Sequence, residues 1–311
     1  MPIGAPERCF QQLLLAKTKT KGEAVVDVFN NQERSSAASQ GGLFENSYLK
    51  LKQCRHGAML FFSNDVYIGR ALDLYGEYSE GEVRLLDQMI RPGMTVVDVG
   101  AHIGAHTIFF AKKAGSKGRV VAFEPQRVLY HILCGNLALN LLHNVTAINA
   151  GLGSKAARAT LPRINYARGG NFGGYGLDKW DGEDVPVLPL DSYHLESCHV
   201  IKIDVEGMER NVLEGAQKTL AEHRPLLYIE NDRVEKSKKL IDWLLTADYR
   251  LFWHLPPLFN EENFFGWREN VFGDIRSINV LGVPRSKRLT VMNLREITSA
   301  ADDWRSPSDV R

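Results

Sequence analysis

The chain has 311 residues, 44% hydrophobic and 24% charged, with a formal net charge of +1. That is an ordinary globular composition, with room for one large α/β domain plus an extension or for two small domains. The balanced charge gives no reason to expect a nucleic-acid partner, no apolar run nears the roughly 18 residues of a membrane span, and Leu13–Leu15 sit in no long apolar stretch of the signal-peptide kind. Cys9, Cys54, Cys134 and Cys198 form no C-x-x-C pair. They read as isolated thiols of a cytoplasmic protein.

Residues 1–70 read as an N-terminal extension. A short helix is expected near 7–16, followed by a mobile linker through the serine- and glycine-rich run Asn30–Gly42. Loose alternation over 46–69 (Tyr48, Leu49, Leu51; Met59–Phe62) predicts a β-hairpin. A domain over 71–285 then opens with a helix over 73–91. Val83, Leu86 and Ile90 share one face of it, and Arg91-Pro-Gly93 ends it. Within Tyr75–Ser79, Glu77 and Tyr78 stand just ahead of the next strand and either cover a ligand or form a solvated cap.

Met94–Thr107 is the first centre. Val96, Val97 and Val99 predict a buried strand, and Ile103, Thr107, Ile108, Phe110 and Ala111 follow at helical spacing. Strand, glycine turn, helix is how a doubly wound sheet presents a nucleotide-like ligand. The turn reads Asp98-x-Gly100-x-x-x-Gly104, with Ala101 and His102 between. It lacks the middle glycine of the dinucleotide G-x-G-x-x-G pattern, and a carboxylate at Asp98 would repel a pyrophosphate. It suits the ammonium and hydroxyls of S-adenosylmethionine (SAM). A helix-capping aspartate in an ordinary βα turn is the plainer alternative.

Gly118–Phe123 predicts a second strand that ends at Glu124-Pro125. An acid near this spacing from the first strand accepts bonds from vicinal ribose hydroxyls. Pro125 opens a helix to about Asn140. Val145–Asn149 is a third strand, and the following Gly151-Leu152 could border an adenine. Residues 155–187 break the βα rhythm. The glycine-rich Ala167–Gly176 reads as an antiparallel insertion or a flexible lid, with Tyr166, Arg168, Asn171, Phe172 and Tyr175 as candidate substrate contacts.

Val200–Gly207 is the second centre. Ile201 and Ile203 alternate with Lys202 and Asp204, so a strand carries a charged ladder, with Glu206 beyond, toward its carboxyl end. Such charges are costly to bury without partners, which favours a functional role. A helix (Val212, Leu213, Ala216, Leu220) runs to His223-Arg-Pro225. Leu226–Ile229 is a fifth strand ending in Glu230 and Asn231. A helix over 238–245, strands at Tyr249–Trp253, next to His254, and Ser277–Val283, and the long aromatic loop Leu255–Trp267 complete the domain. Residues 286–311 read as a loose polar tail.

Asp98-Val-Gly-Ala-His-Ile-Gly104, Phe123-Glu-Pro125, Pro189-Leu-Asp-Ser192 and Ile201-Lys-Ile-Asp-Val-Glu-Gly-Met-Glu209 resemble the FkbM family of SAM-dependent methyltransferases, over about residues 73–284. The resemblance implies a Rossmann-like class I methyltransferase fold, with a seven-stranded, mostly parallel sheet whose last strand is antiparallel. It also implies a hydroxyl acceptor on a sugar, polyketide or other small molecule. The family commonly has Asn where His102 stands. On that reading Glu77, Tyr78, Asp98, Gly100, Ala101, His102, Gly104, Glu124, Pro125, Gly151, Leu152 and Asp204 hold SAM. Asp204 is the first choice for base or acceptor-orienting group and Glu206 the second. Tyr175, Lys202, Glu230, Asn231 and His254 face the acceptor. No metal is assigned, although Asp204, Glu206 and Glu230 or Asn231 could hold one. A protein, nucleic-acid or nitrogen acceptor, a non-catalytic SAM-binding module and a homo-oligomer stay open.

Overall fold

The structure, a computed structural model, describes residues 48–177 and 180–305. The helix expected near 7–16 and the linker after it lie outside these residues. The chain opens with β1 (Leu49–Cys54) and β2 (Gly57–Phe62), the expected antiparallel hairpin. The hairpin is tied to the domain rather than set apart from it. α1 (Ile68–Tyr75) and α2 (Glu80–Met89) follow as two helices where one was expected. Gly76 and Ser79 take left-handed backbone between them, at φ 67° and 49°, and no α-helix runs through that.

The main sheet is built from β3 (Thr95–Val99), α3 (Ala105–Ala114), β4 (Arg119–Phe123), α4 (Arg127–Leu139) and β5 (Val145–Ile148) on one side. After a short strand β6 (Gly151–Leu152), the hairpin β7 (Ala157–Pro162) and β8 (Gly182–Leu188) forms a separate three-stranded sheet in the order β6-β8-β7. The antiparallel insertion is therefore present. The other half is β9 (Val200–Ile203), α5 (Glu209–Glu214), α6 (Gln217–His223), β10 (Leu226–Glu230), α7 (Val234–Thr246), β11 (Tyr249–His254) and β12 (Asn279–Pro284). A final strand, β13 (Arg295–Ile297), pairs with β11.

The order β13-β11-β12-β10-β9-β3-β4-β5 has β3, β4, β5, β9 and β10 parallel, and β12 antiparallel between β10 and β11. The seven expected strands are all there. The eighth comes from the segment expected to be a loose tail. Its Ile297 is buried against β11, and Asp302 receives bonds from Trp253 Nε1 (3.2 Å) and Arg295 Nη1 (2.6 Å).

The parallel strands are apolar on both faces because helices cover both. Val97, Val99, Ile201, Ile203, Leu227 and Ile229 pack with residues of α5, α6 and α7. Val96, Val200, Leu226 and Tyr228 pack with Val83, Leu86 and Phe110 of α2 and α3. The hairpin packs on Ile103, Ile108, Leu129 and Ile132. Two asparagines of α4 and its cap act as its third strand. Asn136 bonds both the N–H and the C=O of Leu60 (2.6 and 3.0 Å), and Asn140 bonds both those of Ala58 (3.0 and 2.7 Å). Paired amides of this kind satisfy an edge that burial would otherwise leave costly.

Candidate active site

The strand order reverses between β3 and β9, and ligands of open α/β sheets bind at the carboxyl ends beside such a point. A cavity of ≈330 Å³ lies there. Its wall includes Gly100 after β3, Glu124 and Gln126 after β4, Asp204 and Glu206 after β9, and Glu230, Asp232 and Arg233 after β10. Gly100 has φ 81°, and a Cβ on it would overlap the carbonyl oxygen of Asp204, so only glycine lets the two strand ends close up.

Glu124 is 4% exposed and held by two backbone donors, His102 N–H to Oε2 (2.8 Å) and Gln126 N–H to Oε1 (2.7 Å). Burial raises its carboxyl to about 7, with the two backbone bonds opposing. Asn149 fixes the segment behind it by donating to the carbonyls of Glu124 (2.8 Å) and Pro125 (3.0 Å).

Across the cavity, register puts Asp98, Lys202 and Tyr228 side by side on three neighbouring strands. Lys202 is 3% exposed and donates to Asp204 Oδ2 at 3.0 Å. Burial disfavours its charge, but Asp204, Asp98 and Glu82 outweigh that and hold the ammonium protonated. Burial likewise works against the Asp204 carboxylate, and Lys202 overrides it and keeps the group below the ordinary range. Glu230 goes the other way: burial and then the charge of Asp204 push it well above its usual value, so it is protonated and bonds to Asp204. Glu206 is raised to about 7 by burial and by Asp204, against the ion pair it makes with Arg233. Ligand atoms of Asp204, Glu206 and Glu230 lie within 4.8 Å of one another, a spacing at which oxygen ligands can share a divalent cation.

Of the residues singled out in sequence, Tyr78, Gly100, His102, Glu124, Pro125, Gly151, Leu152, Tyr175, Asp204, Glu206 and Glu230 line the cavity. Others do not, for physical reasons. Asp98 is fully buried in β3 and accepts from Thr107 Oγ1 at 2.6 Å, so it braces the turn from beneath. Lys202 acts through Asp204. Glu77 is tied to Arg55 (2.5 Å), Asn260 (2.7 Å) and the Phe264 N–H (2.9 Å), pinning the aromatic loop to the hairpin. Asn231 donates to Ser237 Oγ at 2.9 Å, and His254 Nδ1 meets the Tyr228 hydroxyl at 2.8 Å. Ala101 and Gly104 shape the turn from outside the wall. β9 ends at Ile203, so the expected ladder stops at Asp204, and Glu206 stands on a turn in left-handed backbone at φ 56°.

Among the candidate lid residues, Phe172 is core, 2% exposed against Phe62 and Tyr166. Arg168 is exposed and away from the wall, while Asn171 and Tyr175 line it. Sequence reasoning missed Gln126, Asp232, Arg233, Arg276 and Ser277. The polar residues directly following the Glu124-Pro125 and Glu230-Asn231 strand ends were the available signal for the first three.

A sheet that reverses at a glycine turn, with an acid at the neighbouring strand end, defines a Rossmann-like domain of the nucleotide-binding type. Residues 98–251 match the family model of the methyltransferase FkbM domain. Over 157 residues it is 43% identical to methyltransferase sdnD of Sordaria araneosa, which covers 40% of this chain and 60% of that protein. Among solved structures it resembles the methyltransferase FkbM of Methylobacillus flagellatus KT, at 20% identity and a TM-score of 0.43, over 70% of this chain and 55% of that one. It also resembles a SAM-dependent methyltransferase of Aquifex aeolicus, at 16% identity and a TM-score of 0.37, over 68% and 91%. The chain thus spans little more than half the length of the first two. Among the described residues no helix is long and apolar enough to cross a membrane.

Proposed function

We propose that this chain is a SAM-dependent methyltransferase acting on a hydroxyl of a small molecule or sugar. The observation that carries this is the donor set of the cavity. Five acidic side chains (Glu124, Asp204, Glu206, Glu230 and Asp232), Asp204 held ionised among them, line it against two arginines. Such a wall repels the phosphates of a dinucleotide and suits a sulfonium, an ammonium and ribose hydroxyls. Glu124, with both oxygens aimed by backbone donors, fits the ribose diol.

Glu124 and the Gly100–Gly104 turn hold the nucleoside and amino-acid parts on this reading, and Gly151-Leu152 borders the base. When bound, SAM supplies an electrophilic methyl group on a good leaving group. The protein's work is then alignment and proton removal. Asp204, kept ionised by Lys202 and braced by protonated Glu230, accepts the hydroxyl's hydrogen bond and turns its lone pair toward the methyl. Asp204 takes that proton as the oxygen–methyl bond forms and the methyl–sulfur bond breaks, and passes it to ionised Glu206, whose value is about 7.

Calorimetry tests the cofactor, with binding expected for SAM and S-adenosylhomocysteine. Preferential binding of NAD would overturn the reading. Incubating a metabolite pool with the protein and methyl-labelled SAM, read by mass spectrometry, tests the acceptor. Label on nitrogen or on protein instead of a small-molecule oxygen would overturn the hydroxyl assignment.

A further inference from the structure

Asp65 and His102 bring the N-terminal hairpin and the glycine turn together at the edge of the cavity, and the mechanism above uses neither side chain. Asp65 follows β2. Its Oδ1 caps α1, accepting from the N–H groups of Tyr67 (2.8 Å) and Gly69 (3.3 Å). Its Oδ2 is buried and has no partner, on a side chain only 3% exposed. His102 Nε2 lies 3.9 Å from that oxygen, and neither ring nitrogen has a partner. Atoms 3.9 Å apart do not hydrogen-bond to each other. A donor-rich atom between them bonds both. Buried polar atoms are nearly always satisfied, so a converging pair that is not marks a place built for another group.

The surroundings say which group. His102 takes left-handed backbone at φ 52°, which turns its imidazole to the cavity wall while its N–H holds Glu124. Burial keeps the imidazole neutral, so one ring nitrogen is an acceptor. The carboxylate and this nitrogen together present acceptors and a negative charge. Gly173 covers the ring, and even a Cβ there would come within 3.3 Å of His102 Cδ2. Asn171 and Gly173 line the same cavity wall as His102.

We propose that Asp65 and His102 bracket the α-ammonium of SAM, so that a residue outside the matched 98–251 domain completes the amino-acid end of the cofactor site. This rests on the SAM reading above. The acid at Glu124 would hold the ribose, and the Asp65–His102 pair would hold the far end of the same molecule.

The test compares two ligands on the full chain by calorimetry. S-adenosylhomocysteine has the amino-acid end; 5′-methylthioadenosine shares the nucleoside and lacks it. Asp65→Asn keeps the Oδ1 cap and loses the charge. His102→Gly removes the imidazole, keeps a residue at home in left-handed backbone, and stands in should Asp65→Asn fail to fold. Each variant should weaken S-adenosylhomocysteine by about 10- to 100-fold, as loss of a charged hydrogen bond does, and leave 5′-methylthioadenosine within about twofold. Unchanged S-adenosylhomocysteine affinity in both variants, or equal losses for the two ligands, would overturn the proposal alone. Wild-type protein that binds neither ligand would overturn the cofactor reading and this proposal with it.

Discussion

Glu124 Oε2 accepts the backbone N–H of His102 at 2.8 Å, so the acid that ends β4 is fixed by the turn that ends β3. Neither strand positions the carboxylate alone. Gln126 N–H on the other oxygen (2.7 Å) completes the clamp. Two donors in place leave lone pairs pointed into the cavity, ready for donors from a ligand.

Removing the clamped acid should therefore cost binding more than folding. Glu124→Ala is expected to weaken S-adenosylhomocysteine by about 10- to 100-fold in calorimetry, the worth of hydrogen bonds to a charged group. Retention of wild-type affinity would mean that Glu124 does not meet the ribose.

Asp204 and Lys202 should separate chemistry from stability. Asp204→Asn is expected to keep S-adenosylhomocysteine binding and to lower single-turnover methyl transfer by about 10²–10⁴-fold. Lys202→Met leaves Asp204 and Asp98 without their buried counter-charge and should cost about 3–5 kcal/mol of stability in denaturant unfolding. Wild-type turnover in Asp204→Asn would make the Lys202–Asp204 pair structural and move the search to Glu230 and His254.

The pH profile follows from Glu206. As a base it must be ionised, so kcat/KM should rise with pH through a midpoint near its value of about 7. Stability should run the other way. A carboxyl whose folded value lies above its unfolded 4.5 contributes stability that is complete below about pH 4.5 and is lost as pH rises toward about 7. Glu206→Gln should flatten both curves over that window. An unchanged rate limb in this variant would assign the base elsewhere.

Most of the parallel core was legible. Runs such as Val96-Val97 and Val200–Ile203 are apolar on both faces, and nothing but a helix-covered strand buries them. Glu124, Asp204 and Glu230 were legible because an acid at the end of an apolar strand has few other reasons to be there. Asp98 was misplaced because sequence does not tell which face of the strand points to the turn and which to α3. Glu77 was misplaced because its partners Arg55, Asn260 and Phe264 come from distant segments. The break between α1 and α2 escaped because Ser79 adopts a backbone that its residue type does not announce.

The same distant contacts hold the aromatic loop Leu255–Trp267 in place. Glu77 accepts the Phe264 N–H, and the Tyr75 hydroxyl accepts the Val271 N–H at 2.9 Å while donating to the Glu269 carbonyl at 2.9 Å. In hydrogen exchange, the amides of Phe264, Trp267 and Val271 should exchange more slowly than those of Gly173 and Gly174, whose acceptor among the described residues is the exposed Asn171 side chain. Equal rates would show that the aromatic loop opens as freely as the glycine run.

β13 covers the edge that β11 would otherwise present. Leu251, Phe252 and Trp253 spend their outward backbone groups on Ile297, Glu296 and Arg295. A chain cut after Pro284 would bare that row on a strand whose side chains are largely buried. Unpaired strand edges of this kind recruit strands from other molecules. The truncated protein should accordingly keep its cavity residues and yet be prone to self-association.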